Sequence, residues 1–267
     1  MMAKNRSILL SAVVLLFATM ACIFETTEAD STAPLPQVAQ ATLELSTPEE
    51  PSPTPVGACS NIYLPVRTGA AWNYKVTGFV NDTFTRSITT VTANNFTEQD
   101  TFSSGVVRKV EWRCDNGNLT ALNPPSGASA SINEEGVWVD FQTTELTGVT
   151  IPASLIPGAA WTQTITIEGT QAIYQVNYKA RNKITSNCTA IGNEPVTVGA
   201  GSFEAMKVEC RIVMDINLTI EDKPNQTTLN LIVTNWYAAN VGLVKSVTTG
   251  EGLDATVELL SYSIPPQ

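Results

Sequence analysis

The sequence predicts an all-β protein organised around one large, curved antiparallel sheet, a half-barrel. A two-sheet β-sandwich is the alternative. Three observations lead there. From Met206 to Ile220 the even positions are Met206, Val208, Cys210, Ile212, Met214, Ile216, Leu218 and Ile220, with Lys207, Glu209, Arg211, Val213, Asp215, Asn217 and Thr219 between them. Side chains alternate across a strand, so the stretch has one apolar and one wet face, whereas a helix would smear it. At ~3.3 Å per residue it would run roughly 45 Å, well past an ordinary strand, so it must curve or be shared between sheets. Third, no amphipathic helical stretch follows residue 57.

The N-terminus reads as a targeting segment. Lys4 and Arg6 precede an uncharged apolar run from Ile8 to Phe24 that contains Ala21 and Cys22. This resembles a bacterial lipoprotein signal: residues 1–21 are removed and Cys22 carries the lipid. An uncleaved membrane anchor and an ordinary cleaved signal are the alternatives, and all three place the remainder outside the cytoplasm. Residues 22–57 read as a lipid-anchored tether. They hold Pro34, Pro36, Pro48, Pro51, Pro53 and Pro55, several acids, no Lys or Arg and no apolar period, so they cannot bury enough surface to fold. Residues 58–267 form a single antiparallel β domain.

Within that domain, Trp72, Tyr74 and Val76 alternate in a first strand after Gly69-Ala70-Ala71. A second covers Thr83 to Val91 with Phe84, Ile88 and Val91. A third sets Val106, Arg108, Val110, Trp112 and Cys114 against Val107, Lys109, Glu111 and Arg113, and closes in the turn Asp115-Asn116-Gly117-Asn118, since Asn-Gly tolerates positive φ. Leu119 and Leu122 start the return, 123–131 are a loop, and Val137 to Phe141 form a short strand. Gly158-Ala159-Ala160-Trp161 repeats the earlier Gly-Ala-Ala-Trp and opens a strand, Thr162 to Ile167. The repeat is either the trace of a duplication or the same way of starting a strand. Ala172 to Ala180 is a further strand with Tyr174, Val176 and Tyr178 on one face. Val196 to Phe203 is a glycine-broken corner leading into the long strand. Glu221 to Asn225 is read as a polar loop, and Leu229, Leu231, Val233, Asn235 and Tyr237 face one way on its return. Asn240 to Lys245 and Ala255 to Tyr262 complete the set.

Five cysteines occur: Cys22, Cys59, Cys114, Cys188 and Cys210. With Cys22 lipidated, four remain, which suits two disulfides in an oxidising compartment. Cys59–Cys114 and Cys188–Cys210 are favoured because each stays within one half of the chain; free buried thiols are the alternative.

Three blocks resemble a loose group of uncharacterised bacterial lipoproteins: Pro65 to Tyr74, Val196 to Phe203, and Trp236-Tyr237-Ala238 to Val241-Gly242-Leu243-Val244-Lys245. Gly199 stands where that group usually has proline. The resemblance implies a curved sheet similar to the LolA/LolB lipoprotein-carrier half-barrel, or lipocalin-like. It implies no reaction and no catalytic residue.

Composition narrows function further. The chain has no histidine and a net charge of −10. Nucleic acid is an unsuitable partner for so acidic a surface. Histidine-dependent catalysis and His-ligated zinc are excluded, and no Cys-x-x-Cys supports a four-cysteine site, so no catalytic, metal or cofactor residue is assigned. Glu134, Glu135, Asp140 and Glu145 are near one another in sequence and are the only pattern that suits a carboxylate-dependent hydrolase; a solvated loop is the plainer reading. Trp72, Trp112, Trp138, Trp161 and Trp236 either fill a core or line a groove. Trp236 falls on the polar face of its strand, where it would pack a second layer or stand exposed. The expected function is a membrane-tethered extracytoplasmic lipoprotein that binds a lipid, another hydrophobic molecule or a partner without catalysis. A structural or adhesive surface module and the hydrolase are the alternatives. A carrier requires a hollow inner face.

Overall fold

The computed structural model describes residues 57–266 except 80, 124–136, 174–175 and 221–222. Among the described residues the two-residue rhythm yields twelve strands and no helix. In chain order they are β1 (Ala71–Gly78), β2 (Asp82–Val91), β3 (Asn95–Phe102), β4 (Val107–Asp115), β5 (Asn118–Ala121), β6 (Val137–Gly148), β7 (Ala160–Ile173), β8 (Val176–Val198), β9 (Gly201–Ile220), β10 (Lys223–Ala238), β11 (Gly242–Thr249) and β12 (Ala255–Ser263). All twelve join one antiparallel sheet in the order β5-β4-β3-β2-β1-β12-β11-β10-β9-β8-β7-β6. One continuous sheet excludes the sandwich.

The two edges of this sheet nearly meet. Past the end of β6, the Leu119 N–H donates to the Ile151 carbonyl at 2.9 Å, and the Ile151 N–H donates back at 3.0 Å. The Thr150 hydroxyl accepts the Ala121 N–H at 2.9 Å and Gln163 Nε2 at 2.7 Å. The sheet is therefore a nearly closed barrel, joined at this end by a few hydrogen bonds. The chain before β1 crosses the same end. Buried Asn61 donates from Nδ2 to the carbonyls of Gly117 at 2.8 Å and Pro152 at 2.9 Å, the Asn240 N–H donates to the Ile62 carbonyl, and Cys59 is bonded to Cys114 on β4.

Alternation decides what lies inside. Trp72, Tyr74, Phe84, Ile88, Phe96, Phe102, Val110 and Trp112 point inward from β1 to β4 and are buried as one aromatic-rich cluster with Val244 and Leu259. Phe141, Ile165, Ile167, Ala180, Ile216, Leu218, Leu229 and Leu231 form a second cluster under β6 to β10. A third surrounds the disulfide Cys188–Cys210, which joins directly opposed residues of β8 and β9.

The repeated Gly-Ala-Ala-Trp performs one job twice. Arg67 to Ala70 and Ile156 to Ala159 are tight turns, closed by Ala70 N–H to Arg67 O at 3.0 Å and Ala159 N–H to Ile156 O at 2.9 Å. Gly69 and Gly158 sit at φ +83° and +85°, a left-handed conformation that glycine adopts freely. Gly69 N–H then donates to Ile88 O and Ile88 N–H to Ala70 O, while Gly158 N–H donates to Ala190 O and Ala190 N–H to Ala159 O. Both turns thereby register a strand against the end of its hairpin partner.

Several boundaries differ from those the sequence suggests. Lys223, Pro224 and Asn225 belong to β10 rather than to a loop, with Pro224 opposite Thr219. β11 pairs with β10 only from Ile232 onward, so Pro224 sits at a free edge where its missing N–H breaks no ladder. Ala172 and Ile173 end β7 while Val176 opens β8, so the expected strand from Ala172 to Ala180 is divided between two. Residues 181–195, unassigned from sequence, continue β8, and β3 is a strand the apolar pattern did not announce. The Val196 to Phe203 corner is a hairpin turn at Gly199-Ala200, and Asp115 to Asn118 is the β4–β5 turn, with Asn116 and Gly117 both at positive φ.

Candidate functional site: the inner face

The unusual chemistry of the interior sits on β2, β3 and β4. Their inward positions include Arg86, Glu98, Asp100 and Arg108, among Phe84, Phe96, Phe102 and Val110. β-register sets them side by side, with Arg86 opposite Asp100 and Asp100 opposite Arg108. Arg86 donates from Nε to Asp100 Oδ1 at 2.8 Å and from Nη2 to Oδ2 at 3.0 Å, and Arg108 Nη2 donates to the same Oδ2 at 3.0 Å. Arg86 Nε lies 3.2 Å from Glu98 Oε1, yet that oxygen has no hydrogen-bond partner, and neither does Arg108 Nε. The two carboxylate side chains are 2% exposed, whereas Arg86 and Arg108 keep 17% and 24% of their side-chain surface uncovered. The guanidiniums also lie over aromatic rings, Arg86 over Tyr74 and Phe84 and Arg108 over Phe102.

Two neighbouring acids titrate in opposite directions. Burial pushes Glu98 up to about 7; Arg86 and Arg108 oppose this and the Asp100 charge adds to it. Asp100 is buried too, but the two guanidiniums that bond it hold it below the ordinary carboxylate range. From the facing wall, burial pushes Tyr237 up to about 12, and it feels the charges of Arg86 and Glu98. The Tyr74 hydroxyl donates to the Leu243 carbonyl at 2.8 Å, and burial raises it as well.

Between the second and third apolar clusters the inner face is less covered. Ile184 on β8, Ile212 and Met214 on β9 and Val233 on β10 are half-buried. The registers Ile184↔Met214 and Ile212↔Leu231 make them a continuous apolar stripe. A depression of about 290 Å³ bounded by Thr162, Asn187, Glu209 and Arg211 lies on the other, wet side of the sheet, behind Cys188, and is not the apolar hollow a carrier needs.

The residues singled out from sequence are distributed as follows. Cys59 is bonded to Cys114 and Cys188 to Cys210. Cys22, Glu134 and Glu135, and the side chains of Trp138 and Asp140, lie outside the described residues. Glu145 is 65% exposed, 3.5 Å from Arg181, and accepts from the Thr166 hydroxyl. It bonds Thr166 and neighbours Arg181, whereas Asp100 bonds Arg86 and Arg108. Trp72 and Trp112 are buried in the aromatic cluster, while Trp161 and Trp236 are half-buried. Trp236 packs on the outer face, its Nε1 donating to Glu194 at 2.6 Å with Lys207 over its ring. Among the described residues no cluster of three or more Cys, Asp or Glu is placed to hold a metal. Sequence reasoning missed Arg86, Glu98 and Asp100. The available signal was Arg108 on an otherwise apolar face, since a buried guanidinium demands an acid partner.

A nearly closed, single-sheet β barrel with a charged inner corner is the class of protein these features define. The chain belongs to the DUF3108-like family, whose model matches residues 67–263. No curated protein matches it. Solved structures that resemble it are a protein from Bacteroides fragilis described as having a YmcC-like fold (TM-score 0.48, 15% identity, 76% of this chain and 100% of that one) and a candidate lipoprotein from Parabacteroides distasonis (0.47, 14%, 76% and 99%). The hypothetical lipoprotein YmcC from Escherichia coli is more distant (0.34, 11%, 76% and 88%).

Proposed function

We propose that this protein is an extracytoplasmic, membrane-tethered module that acts by binding, not catalysis, and holds a hydrophobic or amphiphilic small molecule against its inner face. The half-buried stripe Ile184, Ile212, Met214 and Val233 carries the reading: an apolar wall inside a barrel that the described residues leave partly uncovered. Covering such a wall contributes ~0.8 kcal/mol per methylene removed from water. Residues 1–21 as a signal peptide, Cys22 as the lipid-bearing residue and 22–57 as tether complete the proposal, and two disulfides suit the oxidising side of a membrane. The absence of histidine, and the engagement of Asp100 by two arginines, speak for binding over acid–base chemistry.

Titration of the mature chain with N-phenylnaphthylamine, which fluoresces in apolar surroundings, tests this. Saturable binding that weakens about tenfold or more in a folded Met214→Glu variant is expected, since a lone carboxylate on an apolar wall costs several kcal/mol to cover. Unsaturable fluorescence, or equal binding by the variant, would overturn it. The aromatic filling under β1 to β4 favours a second reading, a structural or adhesive surface module with a solid core, for which that negative outcome is the expected one.

A further inference from the structure

Resting on that reading, we propose that the corner formed by Arg86, Glu98, Asp100 and Arg108 is the head-group site of the inner face. A monoanionic head of carboxylate, phosphate or sulfonate type accepts hydrogen bonds from Arg108 Nε and from the Glu98 carboxyl, while its tail lies along Val233, Ile212 and Met214.

Four observations converge on it. Arg108 Nε and Glu98 Oε1 are buried without hydrogen-bond partners on adjacent strands of one wall, where every buried polar atom demands one. Both arginines keep part of their side-chain surface uncovered beside two covered acids. Charge also fits. Asp100 is fully engaged and ionised; with Glu98 protonated, two guanidiniums and one carboxylate leave a net charge of +1, complementary to a monoanion. One strand leads from the corner to the apolar stripe. Tyr237 senses Arg86 and Glu98 from β10, and Asn235 and Val233 follow it on the same face, with Ile212 and Met214 alongside on β9. The titratable or charged groups facing Glu98 are Tyr74 on β1, Arg86 on β2, Asp100 on β3, Arg108 on β4 and Tyr237 on β10. Of these, Glu98 alone changes charge near neutrality. Its ionisation removes a donor and repels the head group, so the site releases its ligand as pH rises.

Calorimetry on the mature chain with dodecanesulfonate, dodecanol and methanesulfonate tests the site, because a sulfonate stays ionised throughout. At about pH 6 dodecanesulfonate should bind about tenfold tighter than dodecanol, the worth of one charge-assisted hydrogen bond. That preference should vanish by about pH 8 in the wild type, persist in Glu98→Gln and be absent in Arg108→Met. Glu98→Gln carries the test alone if Arg108→Met does not fold. Equal binding of sulfonate and alcohol, or a preference with the same pH profile in Glu98→Gln, overturns the head-group site and leaves the apolar wall. Binding of neither long-chain probe overturns the wall as well. Methanesulfonate binding as tightly as dodecanesulfonate shows a site for free anions and overturns the amphiphile.

Discussion

Glu98 and Asp100 stand two residues apart on β3 and meet opposite electrostatic fates. Asp100 accepts from both guanidiniums, and Glu98 is left beside them without a hydrogen bond. The pH dependence follows. Folding raises Glu98 from its ordinary value near 4.5 to about 7, so the folded state binds the extra proton. The corresponding stability is present below the unfolded pKa and lost as pH rises through about 7, a loss on the order of 3 kcal/mol. Asp100 is depressed, so its contribution fades only in acid and stays constant across that window. Urea unfolding of the wild type should therefore give lower stability at about pH 8 than at about pH 5, while Glu98→Gln should hold its value. A wild type equally stable at both would show that Glu98 is ionised throughout. Arg86→Met removes the fork on Asp100 and strands two buried acids; its expected cost is about 3–5 kcal/mol, read from the same unfolding curve. A cost under about 1 kcal/mol would mean that solvent reaches the acids.

Elements were legible wherever one face stayed apolar. Met206 to Ile220 lies wholly within β9, and its even residues from Met206 to Leu218 face the interior. Inversion of that pattern concealed β3. In Asn95 to Phe102 the inward residues are Phe96, Glu98, Asp100 and Phe102, so two acids interrupt the apolar face and the stretch stays unassigned from sequence. The residues that give the interior its chemistry therefore hid the strand that carries them. The β7–β8 hairpin was missed for another reason: Ile173 and Val176 pair directly, and the apolar rhythm resumes on the far side without a Gly or Asn-Gly signal. The repeated Gly-Ala-Ala-Trp was visible, but its meaning lay in hydrogen bonds to Ile88 and Ala190, far along the chain. At Gly158 an added Cβ meets open space, so only the left-handed backbone opposes it. Gly158→Ala should cost about 1 kcal/mol and Gly158→Asn less, because asparagine tolerates that conformation. Thermal melts that rank the two the other way would contradict the turn.

Across the whole molecule, one sheet curls until Leu119 reaches Ile151, and the chain from residue 57 to 66 covers the join. Curvature was legible from strand length, but closure was not, because it rests on the edges, whose residues carry no pairing signal. Cys59–Cys114 spans 55 residues and ties the covering segment down, whereas Cys188–Cys210 spans 22 within neighbouring strands. Chain entropy assigns them about 4 and about 3 kcal/mol. The paired Cys59→Ser, Cys114→Ser variant should thus lose more stability than Cys188→Ser, Cys210→Ser and should speed hydrogen exchange at Leu119 and Ile151. Unchanged exchange there would mean that the barrel end holds without its cover. The central claim, that the inner wall is left partly bare for a guest, is tested most directly by native mass spectrometry of the mature chain purified from producing cells. The account predicts a discrete added mass of amphiphile, lost in Met214→Glu. Repeated spectra of the bare chain, with no guest taken up when lipid is supplied, would contradict it.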